Sequence, residues 1–347
     1  MPVELSGARE LWDAEPGYLN TASYGLPPRP AWDELQRALA DWRVGRTSWE
    51  VWSEATDRSR AVFARILGVP AADVAVGATV SQLLAPLAAA LPDGARVVAP
   101  TGEFSSTLFP WMAQAHRGVV TRTVPLSDLP DAVDETTDLV AFSLVQSADG
   151  AVAPYRRLVE AARAYGATVV VDATQACGWL PFEAALADVV VVAAYKWLMS
   201  PRGSAFAYLA PQVREGMTPH AANWCAAEDV HASYYGPPMR LAGDARRFDI
   251  SPAWFSWVGT APALEVVERI GVAAIHDHNV RLANRFLTAL GRPPGDSAIV
   301  TVEVPGAAER LAAAGVRTAV RAGRVRASFH VYNTDADVDA AVAALTG

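Results

Sequence analysis

Two valine-rich segments of the chain end in side chains that can take part in chemistry. Residues 168–171 lead directly into Asp172, and residues 188–195 lead into Lys196. Short, continuously apolar, β-branched runs are typical of strands buried on both faces of a parallel sheet. Because ligands bind outside the carboxyl ends of such strands, we expect this carboxylate and this amine to face one crevice of an α/β fold.

A carboxylate and an amine in one crevice suit pyridoxal 5'-phosphate (PLP). A lysine can form an imine with the aldehyde of PLP, and an aspartate can keep the ring nitrogen protonated. We therefore expect Lys196 to be the catalytic residue and Asp172 to bind the cofactor. Taken alone, such a pair is more often a salt bridge or two solvated loop residues, and it is the surrounding sequence that favours PLP.

Composition limits the other possibilities. A chain of 347 residues with 52% hydrophobic residues is long enough for one large and one smaller domain. The formal charge of −8 does not favour a nucleic-acid partner. The apolar runs are too short to cross a membrane, and residues 1–11 contain no apolar core of a secretion signal. With only Cys177 and Cys225, we expect a cytoplasmic protein.

A metal site is not expected. The six histidines are scattered, and His276 and His278 are two residues apart, so they would lie on different sides of a helix. We expect both to face solvent.

Helical and strand-like patterns alternate, as in an α/β layer fold. Helices are predicted at 31–43, 49–67, 81–90, 105–116 and 155–165, and strands at 74–76, 96–99, 119–124, 139–144, 169–172, 189–193 and 204–209. After residue 251 the pattern predicts a long helix over 258–291, a strand at 298–304, a helix at 307–314, a strand at 324–329 and a last helix from 335.

This order predicts a mostly parallel, doubly wound sheet with a smaller C-terminal α+β domain. The expected division is an N-terminal arm over 1–18, a large domain over 19–250 and a small domain over 251–347. The irregular segment 211–252 is rich in aromatic residues and proline, and we expect it to form a wall of the site or a dimer contact.

Two further segments lie at expected strand ends. Ala78 and Thr79 precede a helix whose N-terminus could bind a phosphate, although the same residues also suit a helix cap. Phe104 follows the strand at 96–99 and could stack on a pyridine ring or belong to the core.

Together the motifs resemble the class V aminotransferase family of PLP enzymes, which have the aspartate-aminotransferase-like fold. The family includes cysteine desulfurases, kynureninases, isopenicillin epimerase-like proteins and the C–S lyase of ergothioneine synthesis. The matching motifs are Tyr18-Leu19-Asn20-Thr21-Ala22, Glu103-Phe104-Ser105-Ser106, Asp172-Ala173-Thr174-Gln175, Tyr195-Lys196-Trp197-Leu198 and Arg326-Ala327-Ser328 with Tyr332-Asn333-Thr334.

The resemblance implies a role for each matched residue. Around the cofactor it implies stacking by Phe104, a contact of Gln175 with the phenolic oxygen, phosphate binding by Tyr195, and a polar contact from Ser147. It also implies that Ser251 reaches the phosphate of a neighbouring subunit, in a homodimer with shared active sites.

For the amino-acid substrate, the resemblance implies a pocket bordered by Asn20 and Ala22. It further implies that Arg326 binds the α-carboxylate, in a fork geometry that a guanidinium suits and a lysine does not.

The reaction is less determined than the cofactor. Cysteine desulfurases of the family use a cysteine near the C-terminus, and no cysteine occurs after Cys225. We expect a C–S lyase-type β-elimination on a cysteine-derived substrate, with transamination and epimerisation as alternatives. Cys177 is expected to be inert packing, whereas Cys225 could act if its segment lines the pocket. A scaffold without activity is disfavoured by the presence of Asp172, Lys196 and Arg326 together.

Overall fold

The computed structural model describes residue 7 and residues 9–347. Its main element is a seven-stranded sheet with the order β1-β7-β6-β5-β4-β2-β3. Strands β2 to β6 are parallel, and β7 is antiparallel to both β1 and β6. The strands are β1 (Val74–Gly77), β2 (Arg96–Pro100), β3 (Val120–Val124), β4 (Leu139–Ser143), β5 (Thr168–Asp172), β6 (Val189–Ala193) and β7 (Ala205–Leu209).

Helices cover both faces of this sheet. Successive strand residues alternate between two cores: in β6, Val190 and Val192 pack on one face, and Val189 and Val191 pack on the other. This explains the unbroken apolar runs in the sequence, since neither face meets water. The helices are α1 (Arg29–Arg43), α2 (Trp49–Leu67), α3 (Val80–Ala90), α4 (Ser105–Met112), α5 (Tyr155–Tyr165) and α6 (Pro211–Glu215).

The C-terminal part forms a smaller layer. Its antiparallel sheet has the order β8-β10-β9, with α8 and α10 packed on one another beside it. The elements are α7 (Trp254–Ile270), α8 (Val272–Ala289), β8 (Ile299–Val302), α9 (Ala307–Ala313), β9 (Ala319–Arg321), β10 (Arg324–Ser328) and α10 (Asp335–Thr346). The predicted α/β class, with a mostly parallel sheet and a smaller α+β unit, is confirmed.

Several predicted elements differ from the structure. The single helix expected over 258–291 is wrong: Gly271 has φ of +90° and separates α7 from α8. The helix expected over 105–116 ends at Met112 and is followed by a 3₁₀ turn. The sequence reading also missed β9, because a three-residue edge strand carries too little periodicity to be detected.

The N-terminal segment connects the two layers. Leu19 donates its N–H to the carbonyl of Arg317 (2.9 Å) and accepts from the N–H of Ser328 (3.0 Å), so it runs beside β10. Helix α7 packs on α1 and α2. The division at residues 18 and 250 remains a prediction. No helix in the described part of the chain is long and apolar enough to cross a bilayer.

The small sheet contacts the large layer at Gly150, and this contact can be tested. A Cβ placed on Gly150 would lie 2.2 Å from the carbonyl oxygen of Ile299, and the residue has φ of +84°. We expect Gly150→Ala to lower the free energy of unfolding by more than about 2 kcal/mol, since it combines a backbone clash with a left-handed conformation.

Gly166→Ala is the matched control, because Gly166 has φ of +72° and open space around its Cα. It should cost only about 1 kcal/mol in urea unfolding experiments. Equal losses for the two variants would show that the contact between Gly150 and Ile299 is not tight.

Candidate functional site

A cavity of about 280 Å³ lies at the carboxyl ends of β4, β5 and β6. Asp172 is the last residue of β5, and Tyr195 and Lys196 follow the end of β6. The parallel register of β5 and β6 brings these ends together. The cavity is lined by Ala78, Thr79, Val80, Ser81, Phe104, Ser106, Ser143, Ser147, Asp172, Thr174, Gln175, Ala193, Tyr195, Lys196 and Arg202.

Lys196 is buried in the wall of this cavity, with 6% of its surface exposed. In the part of the chain that the structure describes, Lys196 forms no ion pair. Its Nζ lies 5.5 Å from the ring centroid of Phe104 and 5.7 Å from that of Tyr195. Burial lowers the pKa of Lys196 to about 8, although Asp172 acts in the opposite direction. At pH 7 about a tenth of the amine is therefore neutral and nucleophilic, far more than for an ordinary lysine with its pKa of about 10.4.

Asp172 is held in place by two hydrogen bonds. Its carboxylate accepts from the Thr107 hydroxyl (2.6 Å) and from the backbone N–H of Thr174 (2.8 Å). The residue is 4% exposed and faces the same cavity as Lys196 without pairing with it. A fixed carboxylate is thus available to a ligand in the cavity.

Phe104 lines the cavity, and Glu103 fixes the backbone of the loop that carries it. Glu103 accepts from the N–H groups of Phe104 (2.8 Å) and Ser143 (2.7 Å), from the Ser143 hydroxyl, and from the Gln146 amide (3.1 Å). Burial raises the pKa of Glu103 despite these bonds. The Phe104 ring, 47% exposed, is thereby presented to the cavity from a fixed loop.

The part of the cavity lining formed by Thr79, Tyr195 and Arg202 suits a phosphate. Thr79 caps α3, accepting from the N–H of Gln82 (3.3 Å), and Ala78 donates its N–H to the Gln82 side chain (2.8 Å). The Arg202 guanidinium lies 5.1 Å from the Tyr195 ring centroid. Among the described residues Arg202 has no acidic partner, so a cation and a helix N-terminus are both available to an anion here.

Gln175 and Ser147 connect the cavity to the N-terminal segment. The Gln175 amide donates to the Ala22 carbonyl (2.9 Å) and the Ser147 hydroxyl (3.2 Å), and it accepts from Trp197 Nε1 (2.8 Å). These bonds fix the orientation of the amide toward Ser147.

Arg326 lies behind Ser147 with only 1% of its surface exposed. It donates to the Ser147 carbonyl (2.6 Å) and to the Ser23 hydroxyl (3.0 Å), while its Nε has no partner in the described part of the chain. Burial lowers the pKa of Arg326 to about 10. A buried guanidinium without a carboxylate is costly, so this one is well placed to receive an anionic ligand.

Four predicted residues do not line the cavity: Arg326, which lies behind Ser147, and Asn20, Ala22 and Ser251. Asn20 accepts from the Ser23 hydroxyl (2.7 Å) and so supports Arg326 indirectly, and Ala22 is 1% exposed and contributes its carbonyl. Ser251 is exposed and lies beside Cys225. Its predicted role toward a neighbouring subunit remains a prediction.

Neither cysteine lies in the cavity. Cys177 is 2% exposed in the core, and burial raises its pKa to about 12. Cys225 lines a separate pocket with Trp49 and Arg60, and burial raises its pKa to about 12 as well. Both thiols are therefore protonated near neutral pH, and within one chain Cys225 does not line the Lys196 cavity. A role for Cys225 in the reaction stays a prediction.

The aromatic segment over 224–257 packs away from the cavity. Trp224, Tyr234 and Trp254 surround Trp49 of α2, with ring centroids between 5.1 and 6.2 Å apart. Of the two alternatives expected for 211–252, a wall of the site is not formed within one chain, and a dimer contact stays a prediction. His276 and His278, expected to face solvent, are half-buried: His276 stacks on Trp179, and His278 bonds the Asn333 carbonyl.

Residues 44–313 match the family model for aminotransferase class V. The chain belongs to the class V aminotransferase family. It is therefore a PLP-dependent enzyme, as the motifs predicted.

Curated relatives and solved structures agree with this family. The chain is 26% identical to the uncharacterized aminotransferase YcbU of Bacillus subtilis, covering 89% of each chain. It is 28% identical to isopenicillin N epimerase of Streptomyces clavuligerus, covering 84% of this chain and 79% of that one.

Among solved structures, the cysteine desulfurase CsdA of Escherichia coli superimposes with a TM-score of 0.84 at 19% identity, covering 99% of this chain and 97% of that one. The cystine C–S lyase C-DES, in complex with its product cysteine persulfide, gives a TM-score of 0.84 at 18% identity, covering 96% and 97%. At these identities the likeness shows the fold.

Four polar residues of the site were not predicted from the sequence: Glu103, Thr107, Thr174 and Arg202. Glu103 and Thr174 lie inside the quoted motifs, so their position was a usable signal. The basic residues carry a further signal. Lys196 is the single lysine among the 29 lysine and arginine residues of the chain.

The lowered pKa of Lys196 predicts how the apoprotein captures PLP. The rate at which the visible absorption of bound cofactor develops should rise with pH around a midpoint near 8, because only the neutral amine attacks an aldehyde. Asp172→Asn should shift this midpoint downward, since the negative charge at Asp172 favours the protonated amine. A midpoint near the ordinary lysine value of about 10.4 would contradict the burial argument.

Proposed function

We propose that the protein catalyses a C–S lyase-type β-elimination on a cysteine-derived amino acid, with PLP bound to Lys196. The observation that carries the cofactor assignment is a buried, unpaired amine that shares a cavity with a fixed carboxylate, Asp172. When bound, PLP supplies an electron sink for the electrons released at the substrate Cα.

The residues of the cavity fit the parts of the cofactor. We assign Lys196 to the aldehyde carbon and Asp172 to the ring nitrogen, with Phe104 on one ring face. The phosphate is assigned to the end of the cavity that holds Ala78, Thr79, Tyr195 and Arg202, where an anion meets a guanidinium and a helix N-terminus. Gln175 and Ser147 are assigned to the phenolic side.

The substrate is held by its α-carboxylate on Arg326, whose free Nε and two engaged Nη atoms form a fork behind Ser147. The Lys196 amine is assigned the role of the base that removes the Cα proton. Ser23 and Asn20 keep the guanidinium in position through one hydrogen-bond chain.

β-Elimination is favoured because it needs no second nucleophile. Lys196 takes the proton from Cα, and the thiol or thiolate leaves from Cβ. In the part of the chain that the structure describes, no thiol lines the cavity, and Lys196 is its only amine. A mechanism that stores sulfur on a cysteine of this cavity is therefore not supported.

Transamination is the second candidate. Lys196 can also return the proton to a carbon other than Cα, so the cavity accommodates transamination as well as elimination. A relative of the chain is named an aminotransferase. Epimerisation is the third, and a relative is named an epimerase. We further propose a cytoplasmic homodimer with shared active sites, to which Ser251 contributes.

Product analysis separates these reactions. With cysteine S-conjugates and no added keto acid, we expect the holoenzyme to release pyruvate, ammonia and the free thiol in equal amounts. Amine transfer that depends on an added keto acid would show that the reaction is transamination and not elimination. Inversion at Cα without pyruvate would establish epimerisation.

The α-carboxylate assignment predicts a second result. Arg326→Gln should lower kcat/KM by roughly ten- to hundredfold, because it removes a charge-assisted hydrogen-bond pair. Arg326→Lys should recover little, since an ammonium cannot form the fork. Activity within twofold of the wild type in Arg326→Gln would remove Arg326 from substrate binding.

A further inference from the structure

Three arginines share the face of the small sheet that is directed toward the cavity. Arg326 and Arg324 are two residues apart on β10, so their side chains lie on one face. Arg321 on β9 is paired directly opposite Arg324, and directly paired residues of antiparallel strands project to the same face. Arg321 therefore stands on the same side of the sheet as Arg326.

The three guanidinium groups differ in their partners. Arg324 lies 3.8 Å from carboxylate oxygens of both Asp149 and Glu303. Arg321 is exposed and donates only to the carbonyl of its neighbour Val320 (2.8 Å), with no carboxylate partner among residues 9–347. The charge on Arg324 is thus compensated, whereas the charge on Arg321 is not.

A tight turn fixes the position of Arg321. Ala322 and Gly323 connect β9 to β10 and have φ values of 47° and 77°. Positive φ at both central residues is the geometry of a two-residue hairpin turn that matches the twist of the strands. The register of Arg321 against Arg324 is therefore determined by the hairpin and not by a flexible loop.

The charge of Arg321 also acts on the site. Burial is the largest cause of the lowered pKa of Lys196 and of Arg326, and the charge of Arg321 lowers both pKa values further, after the larger effects of Asp172 and Arg326 in the case of Lys196. The pairing of β9 with β10 places Arg321 one strand from Arg324 and on the face that carries Arg326. Once Arg326 takes the α-carboxylate and Arg202 the phosphate, the cation at Arg321 still lacks an anion.

We propose that Arg321 is a specificity-determining residue that binds a second anionic group of the substrate, located beyond Cβ. The inference rests on the proposed function and narrows its substrate to cysteine-derived amino acids whose departing side chain carries an acidic group. Arg326 and Arg324 are separated by about 7 Å along β10. Arg321 lies one strand spacing of about 5 Å from Arg324. A ligand with two acidic groups separated by several bonds can therefore reach both.

A matched pair of substrates tests this proposal. S-(carboxymethyl)cysteine and its neutral isostere S-(carbamoylmethyl)cysteine differ only in the charge of the distal group. We expect the wild-type holoenzyme to prefer the acid by about tenfold in kcat/KM, carried by KM. Arg321→Ala should abolish this preference by raising KM for the acid alone, and Arg321→Lys should retain part of it.

Arg324→Ala is the matched control, because it removes a neighbouring arginine whose charge is already compensated. It should keep the preference for the acid. Equal losses of preference in Arg321→Ala and Arg324→Ala would indicate a general effect of net charge and would overturn the proposal.

Binding without turnover provides an independent readout. Glutarate and the monocarboxylate butyrate should both perturb the visible spectrum of the holoenzyme, with glutarate binding about tenfold more tightly. Arg321→Ala should equalise the two dissociation constants. If the wild-type protein binds PLP and eliminates thiols but shows no preference in either assay, this inference fails while the proposed function stands. If it binds no PLP, the proposed function fails first.

Discussion

Burial of the Lys196 amine without a counter-ion is the interaction on which the site depends. Removing a charged amine from water is unfavourable, and the amine responds by losing its proton more readily. Asp172 lies in the same cavity but is held by Thr107 and Thr174, so it does not pair with the amine. The protein thus keeps an acidic and a basic group apart in one enclosed space, which leaves both available to a ligand.

The rest of the fold maintains this separation. Five parallel strands bring the ends of β5 and β6 together, Glu103 fixes the loop that carries Phe104, and the N-terminal segment joins the small sheet to the Gln175 and Ser147 side of the cavity. Arg326 approaches from the small sheet. Any movement of this sheet would therefore change the distance between the proposed carboxylate-binding residue and the base, since the two belong to different layers.

Much of this arrangement was predictable from the sequence, because the strands are buried on both faces and their apolar runs end at polar residues. The positions of Asp172, Lys196, Phe104 and Gln175 followed from this pattern and from the family motifs. Contacts between distant segments were not predictable. The bonds of Glu103 to Ser143, the support of Arg326 by Ser23, and the placement of Cys225 in a separate pocket depend on how the loops fold back. Edge strand β9 was missed because it is short, and with it the position of Arg321.

The composition of the chain makes the central claim directly measurable. Because Lys196 is the only lysine, the α-amine of the chain is the only other primary amine that could react with an aldehyde. The holoenzyme should be reduced with borohydride, digested and analysed by peptide mass spectrometry. The account predicts one reduced phosphopyridoxyl group per chain, located on Lys196 and absent from Lys196→Ala. A label found only at the N-terminus, or no label on a protein that retains activity, would contradict it.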